Sequence, residues 1–184
     1  SQLPLLHFGS MFDASGVAHP SVIKDGATYV LYYAGLDSSG TAKIGRATAP
    51  APSGPYTRGP SPVLDLGTAS EFDATSVKDP VVVKAGAGDY RMLYTGVETL
   101  EGNRIERVGY ATSSDGISWT KRGVVAGPSL SAYASDESGA QAAGMLIDGS
   151  TFHVWTSGVD RGGRTRGHHA TTAFPTPVSP QPGI

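Results

Sequence analysis

The sequence predicts an all-β fold, a β-propeller assembled from four-stranded blades, and three observations predict it. The first is an internal repeat: Phe12-Asp13-Ala14, followed by Val17 and Pro20, returns as Phe72-Asp73-Ala74, Val77 and Pro80, an offset of 60 at every position. A repeat of that length is a supersecondary unit that buries its apolar face only by stacking on its neighbours. The second is composition: 25 Gly and 13 Pro in 184 residues interrupt any long helix, while 39% hydrophobic residues supply a core. The third is pattern, because the segments between turns are rich in Val, Ile, Tyr and Thr and show no sustained helical period.

The elements follow in order. Pro4-Leu5-Leu6-His7-Phe8-Gly9 matches Pro62-Val63-Leu64-Asp65-Leu66-Gly67, so residues 3–8 read as the outer strand of a blade. The first unit, approximately 10–67, has an inner strand after Pro20, a turn at Asp25-Gly26, an aromatic strand over 29–35, a third strand over 43–48 and a fourth around 62–67. The second unit, approximately 68–130, runs through Val81-Val82-Val83, a turn with a two-residue insertion, and strands over 90–96 and 107–112. In Ser113-Ser114-Asp115-Gly116-Ile117-Ser118-Trp119, Asp and Gly favour a tight turn and Trp119 is expected against the adjacent sheet. The third unit, approximately 131–173, is weaker. Its Asp148-Gly149 lies twelve residues beyond Asp136, as Asp25-Gly26 lies twelve beyond Asp13. Its Phe-Asp has become Ser135-Asp136, its Pro position holds Ala143, and Trp155, aligned with Tyr32 and Leu93, is expected in the core. Residues 174–184 are Pro-rich and read as a linker or tail.

Three units are one fewer than the four blades of the smallest ordinary propellers. Either the chain is part of a longer one, or copies associate as a homo-oligomer to complete a ring, or residues 3–8 close onto the third unit. Open blade edges would invite such association. A net charge of −2 with no basic stripe argues against nucleic acid, and no apolar stretch approaches the 18 residues of a membrane span. With no Cys there is neither a disulfide scaffold nor a Cys-based metal site, which is compatible with secretion. The expectation is a secreted or extracellular protein, with no signal peptide at Ser1, as a mature or trimmed chain would have. No Gly-rich loop joins a strand to a helix, so no motif supports nucleotide binding.

Taken together, the two Phe-Asp pairs, Asp79-Pro80-Val81, Tyr90-Arg91-Met92-Leu93-Tyr94-Thr95-Gly96 and the run from Val108 to Trp119 resemble the five-bladed propeller glycosidases. That group includes the arabinanases and xylosidases, the invertases and levanases, and predicted bacterial glycosidases. The resemblance covers roughly residues 4–172 and is more specific for fold than for activity. It implies a carboxylate base or nucleophile, a carboxylic acid and often a third Asp, all projecting into the central channel, with carbohydrate as the partner.

The chemistry explains the requirement, since cleaving a glycosidic bond needs one carboxyl to protonate the leaving oxygen and another to activate the attacking group opposite. The comparable inner-strand positions are His19, Asp79 and Ala142, immediately before Pro20, Pro80 and Ala143. Asp79-Pro80 matches the family's Asp-Pro pattern and is the foremost channel candidate, against the plainer reading of a turn cap before Pro. His19 stands where a catalytic Asp is expected, which leaves Asp13 or Asp73 as substitutes for the second active carboxylate. Their periodic recurrence with Asp136 equally suits a structural Asp that accepts backbone hydrogen bonds in each loop. Glu137 is the candidate general acid, against an exposed loop residue, and His19, Asp136 and Gln141 are candidates for contacting sugar hydroxyls.

No zinc site is expected, because His168 and His169 point to opposite faces of a strand and His7, His19 and His153 are scattered. No cofactor is expected; calcium held by Asp oxygens is the one metal left open. Two functions from different classes remain: a glycosidase-like carbohydrate-active protein using channel-facing carboxylates, and a non-catalytic carbohydrate-binding or assembly module.

Overall fold

The computed structural model describes residues 6, 9, 11–128, 139–160, 162 and 164–173. All regular structure among them is β, in eleven strands. The first sheet has the order β1-β2-β3-β4, with β1 Gly16–Asp25, β2 Thr28–Leu36, β3 Ala42–Ala49 and β4 Thr57–Arg58. The second runs β5 Ser76–Gly86, β6 Asp89–Leu100, β7 Asn103–Ser113 and β8 Thr120–Ala126. Then come β9 Gly139–Asp148, β10 Thr151–Val159 and β11 Thr165–Ala173, which join the second sheet through one parallel bridge, Glu106↔Gly139. All other pairings between these strands are antiparallel between sequence neighbours, the up-and-down connectivity of propeller blades.

Turn chemistry sets the β1–β2 and β9–β10 hairpins. Asp25 pairs with Thr28 across a two-residue turn, and Asp148 pairs with Thr151 likewise. Gly26 and Gly149 take φ of 60° and 58° there, a conformation that glycine adopts without steric cost.

Side-chain alternation then stacks the sheets. On β2, Val30 and Tyr32 face the second sheet and join Ile44, Val77, Val82, Met92 and Tyr94 in one core, while Leu31 and Tyr33 join a separate cluster with Ala47, Ala49 and Tyr56. β6 is buried on both faces: Met92 and Tyr94 look toward the first sheet, and Leu93 packs with Tyr110, Met145 and Phe152 of a second core. Backbone groups are tied across the sheets as well, Ser76 Oγ accepting from Ala42 N at 3.1 Å, Ser21 Oγ from Val82 N at 3.1 Å and Thr95 Oγ1 from Ala142 N at 3.0 Å. The 113–119 hairpin caps this arrangement, for Tyr32 donates its hydroxyl to Gly116 O at 2.8 Å and Trp119 meets the Tyr32 ring edge-on.

Two expectations are corrected. The fourth strand of the first sheet is Thr57–Arg58, paired with Ala47 and Thr48, whereas the 62–67 segment contributes one bridge, Leu64 to Ile44. Pro60 and Pro62 lack the N–H groups that a longer ladder needs. Trp155 is 38% exposed and stacks on His153 and His169, although its counterparts Tyr32 and Leu93 are buried. The reason is positional: Tyr32 and Leu93 face the strands of the following unit, and among the described residues no unit follows β9–β11.

Candidate functional site

The innermost strands β1 and β5 break their ladders at equivalent places, and β5 breaks again between Lys84 and Gly86. Pairing passes from Ala18↔Ala34 to Ser21↔Tyr32 in β1, and from Lys78↔Thr95 to Val81↔Leu93 in β5, leaving His19-Pro20 and Asp79-Pro80 outside the register. Proline cannot donate to a ladder and settles at such bulges. His19 and Asp79 both adopt left-handed backbone, φ 52° and 50°, a region that His, Asp and Asn enter more readily than other non-glycine residues. On β9 the register shifts between Ala142 and Gly144, but Ala142 is not left-handed.

The two bulges turn their side chains toward each other. His19 Nδ1 lies 2.7 Å from Asp79 Oδ1, with the imidazole 51% exposed and the carboxylate 10%. Lys78 Nζ stands 3.6 Å from Asp79 Oδ2 and 3.0 Å from Glu106 Oε1, so one ammonium links two carboxylates. Glu106 also accepts from Gln141 Nε2 at 2.5 Å and from Arg104 Nη2 at 2.9 Å. Burial pushes the Glu106 carboxyl up, but the hydrogen bonds from Gln141, Lys78 and Arg104 outweigh it and hold the group below its ordinary value. Beside it Arg107 pairs with Glu98. The cluster therefore collects residues from β1, β5, β7 and β9 around the inner-strand bulges.

Glu106 was not singled out from the sequence. The hairpin beyond the Val97↔Glu106 pair holds residues 98–105, three more than the 37–41 that connect the equivalent pair Leu36↔Ala42. Its signal is a disagreement between copies, Ala42 in one and Glu106 in the other, masked by the charged neighbours Arg104 and Arg107.

The remaining candidates fall elsewhere. Asp13 is 1% exposed; its Oδ2 accepts from Tyr33 OH at 2.9 Å and pairs with Arg58 Nε at 2.7 Å. Asp73 is 0% exposed and repeats the scheme with Tyr94 OH at 3.0 Å and Lys121 Nζ at 2.7 Å. The donors are tyrosine and cationic side chains rather than the expected backbone amides, and these carboxylates strut their own sheets instead of joining the cluster. Asp136 and Glu137 lie outside the described residues. Among the described residues no group of three or more His, Asp or Glu side chains is arranged to hold a metal ion.

The fold is that of the propeller glycoside hydrolases. An α-L-arabinofuranosidase from Clostridium thermocellum superposes with a TM-score of 0.63 at 18% identity, covering 88% of this chain and 49% of its own. A β-1,2-mannobiose phosphorylase from Listeria innocua gives 0.75 at 13% identity over 96% and 46%, and a family 117 glycoside hydrolase from Zobellia galactanivorans gives 0.61 at 18% over 87% and 44%. In sequence, the chain is 33% identical over 181 residues to uncharacterized proteins of two Mycobacterium tuberculosis strains, covering 92% of this chain. The chain spans about half the length of those curated relatives, 56%. No protein-family model matches it.

Proposed function

We propose that the chain belongs to a secreted carbohydrate-active protein that hydrolyses glycosidic bonds, with Asp79 and Glu137 as the active carboxyl groups and His19, Asp136 and Gln141 contacting the sugar. One observation carries this reading: the inner-strand bulges bring Asp79, His19, Lys78, Glu106 and Gln141 together. Polar side chains converging on one place are the ordinary mark of a site, and strained backbone beneath them strengthens it. The likeness to glycoside hydrolases and to a phosphorylase supports carbohydrate as the substrate class. In this reading Asp13 and Asp73 hold their sheets and take no part in bond cleavage. The ring is completed by further blades, from the same polypeptide or a second copy, over the exposed face that carries Leu146 and Trp155.

The second reading is a non-catalytic carbohydrate-binding module. The pairing of each described carboxylate of the cluster with a lysine or arginine favours it, because a neutralised network binds hydroxyls well without needing to transfer protons. Turnover of aryl glycosides and of arabinan-, xylan- and fructan-type polymers separates the two. Hydrolysis that Asp79→Asn and Glu137→Gln each reduce by about 100-fold or more supports the first, whereas turnover indifferent to both substitutions sinks the site.

A further inference from the structure

We propose that His19 is the proton-transferring residue of this site and that Asp79 is its positioning partner, so the pair acts as a His–Asp dyad. The inference rests on the glycosidase reading and, within it, replaces direct action of the Asp79 carboxylate and a plain sugar contact at His19 by proton transfer at one atom, His19 Nε2.

Geometry carries the assignment. A carboxylate only accepts hydrogen bonds, so the 2.7 Å contact places a proton on Nδ1, and in the neutral imidazole the lone pair is then on Nε2. Among the described residues Nε2 has no partner. Exposure then decides which member meets a substrate: the Asp79 side chain is 10% exposed and His19 is 51% exposed. Asp79 is hemmed in further by Lys78, 3.6 Å from its other oxygen. The imidazole thus carries acid–base chemistry from a buried carboxylate to an open surface, the division of labour seen wherever a carboxylate fixes a histidine tautomer.

The backbone supports the same conclusion. Two residues in consecutive inner strands both sit left-handed ahead of a proline, where the preceding residue is normally extended, and the result is that their side chains touch. A mere connection between sheets needs no such conformation, as Ser21, Ser76 and Thr95 make theirs from the ordinary ladder. Strain of this kind persists where the surroundings enforce it, and it gathers at functional positions.

In the hydrolytic step, Nε2 takes a proton from water as the water oxygen bonds to the anomeric carbon. The electrons of the breaking C–O bond pass to the leaving oxygen, which takes a proton from the acid of the proposed reaction. The imidazolium then returns its proton to solvent and the acid takes one back from solvent, so the net change is addition of one water across the bond.

The test pairs long-range ¹H–¹⁵N spectra of the imidazoles with kinetics on whichever glycoside of the panel is turned over. His19→Gly identifies the His19 signals and folds without difficulty, since glycine accepts φ 52°. The expected results are an Nδ1–H tautomer at His19 that loses its dominance in Asp79→Ala, a fall in kcat of about 100-fold or more in His19→Gly, and partial recovery of kcat with added imidazole. A dominant Nε2–H tautomer overturns the dyad whatever the activity. A kcat within a few-fold of wild type in His19→Gly overturns the role of His19 and leaves the glycosidase reading standing. Absence of turnover on every substrate overturns that reading and the proton transfer with it, and the tautomer still reports whether the pair is built as described.

Discussion

Tyr94 donates its hydroxyl proton to Asp73 across 3.0 Å in a place where neither residue is exposed. Lys121 completes the arrangement from β8, 2.7 Å from the same carboxylate oxygen. Asp73→Ala would leave a buried hydroxyl unsatisfied and an ammonium without its counter-charge. The expected loss is about 3 kcal/mol of unfolding free energy, read by urea denaturation. Tyr94→Phe removes only the donor, and about 1–2 kcal/mol is expected. A loss below about 0.5 kcal/mol for Asp73→Ala would show that the strut contributes nothing.

Close approach to the same tyrosine makes Gly109 a second test. A Cβ at Gly109 would overlap the Tyr94 ring and lie 2.7 Å from Phe72 Cζ. Because the Tyr94 ring is fully buried, Gly109→Ala should destabilise by about 1–3 kcal/mol through overpacking. Gly86→Ala, with nothing within 4 Å of the new methyl, is the control and should leave the thermal midpoint within a degree or two.

Alkaline pH should act through the buried tyrosines. Burial raises Tyr32 and Tyr33 from 10.0 to about 12, and it raises Tyr94 as well. A group whose folded pKa lies above its unfolded one contributes stability that is complete below pH 10 and is lost as pH climbs toward 12. Tyrosinate absorbance should therefore rise together with the loss of near-ultraviolet circular dichroism in that window. Full ionisation of all eight tyrosines near pH 10 with structure intact would contradict the buried environment.

Glu106 gives the opposite dependence. Its carboxyl is held below the ordinary 4.5 once the hydrogen bonds from Gln141, Lys78 and Arg104 outweigh burial. Its contribution is complete above pH 4.5 and disappears as pH falls through the lower folded value. Glu106→Gln should flatten that acid limb of the stability curve and cost about 1–3 kcal/mol at pH 7, where Lys78 loses its nearer carboxylate. An acid limb unchanged by the substitution would remove Glu106 from the network.

How far the sequence reached can be judged residue by residue. Phe12-Asp13 and Phe72-Asp73 mark equivalent places because the Phe rings lie over Tyr33 and Tyr94, centroids 6.2 and 5.9 Å away. That packing is local to one sheet, and local packing leaves a periodic trace. Asp79-Pro80 was legible only as the family's Asp-Pro pattern; the inner strands are expected after Pro20 and Pro80, but they begin at Gly16 and Ser76 and bulge at the prolines, which cannot donate to the ladder. The shortness of β4 was not legible, because pairing with β3 depends on which N–H groups reach it. Nor was Glu106, brought beside Lys78 and Gln141 by a hairpin three residues longer than its counterpart, 98–105 against 37–41.

By itself, the sequence determined the strand content and the turns at Asp25-Gly26 and Asp148-Gly149, consequences of short-range backbone and side-chain preferences. The tertiary structure alone decided which charges meet. His19 and Asp79 are 60 residues apart and become neighbours because two bulges on adjacent sheets turn the same way. The same stacking buries Asp13 and Asp73 and leaves Trp155 exposed on β10, since burial depends on whether other strands lie against the face and not on the residue that occupies it.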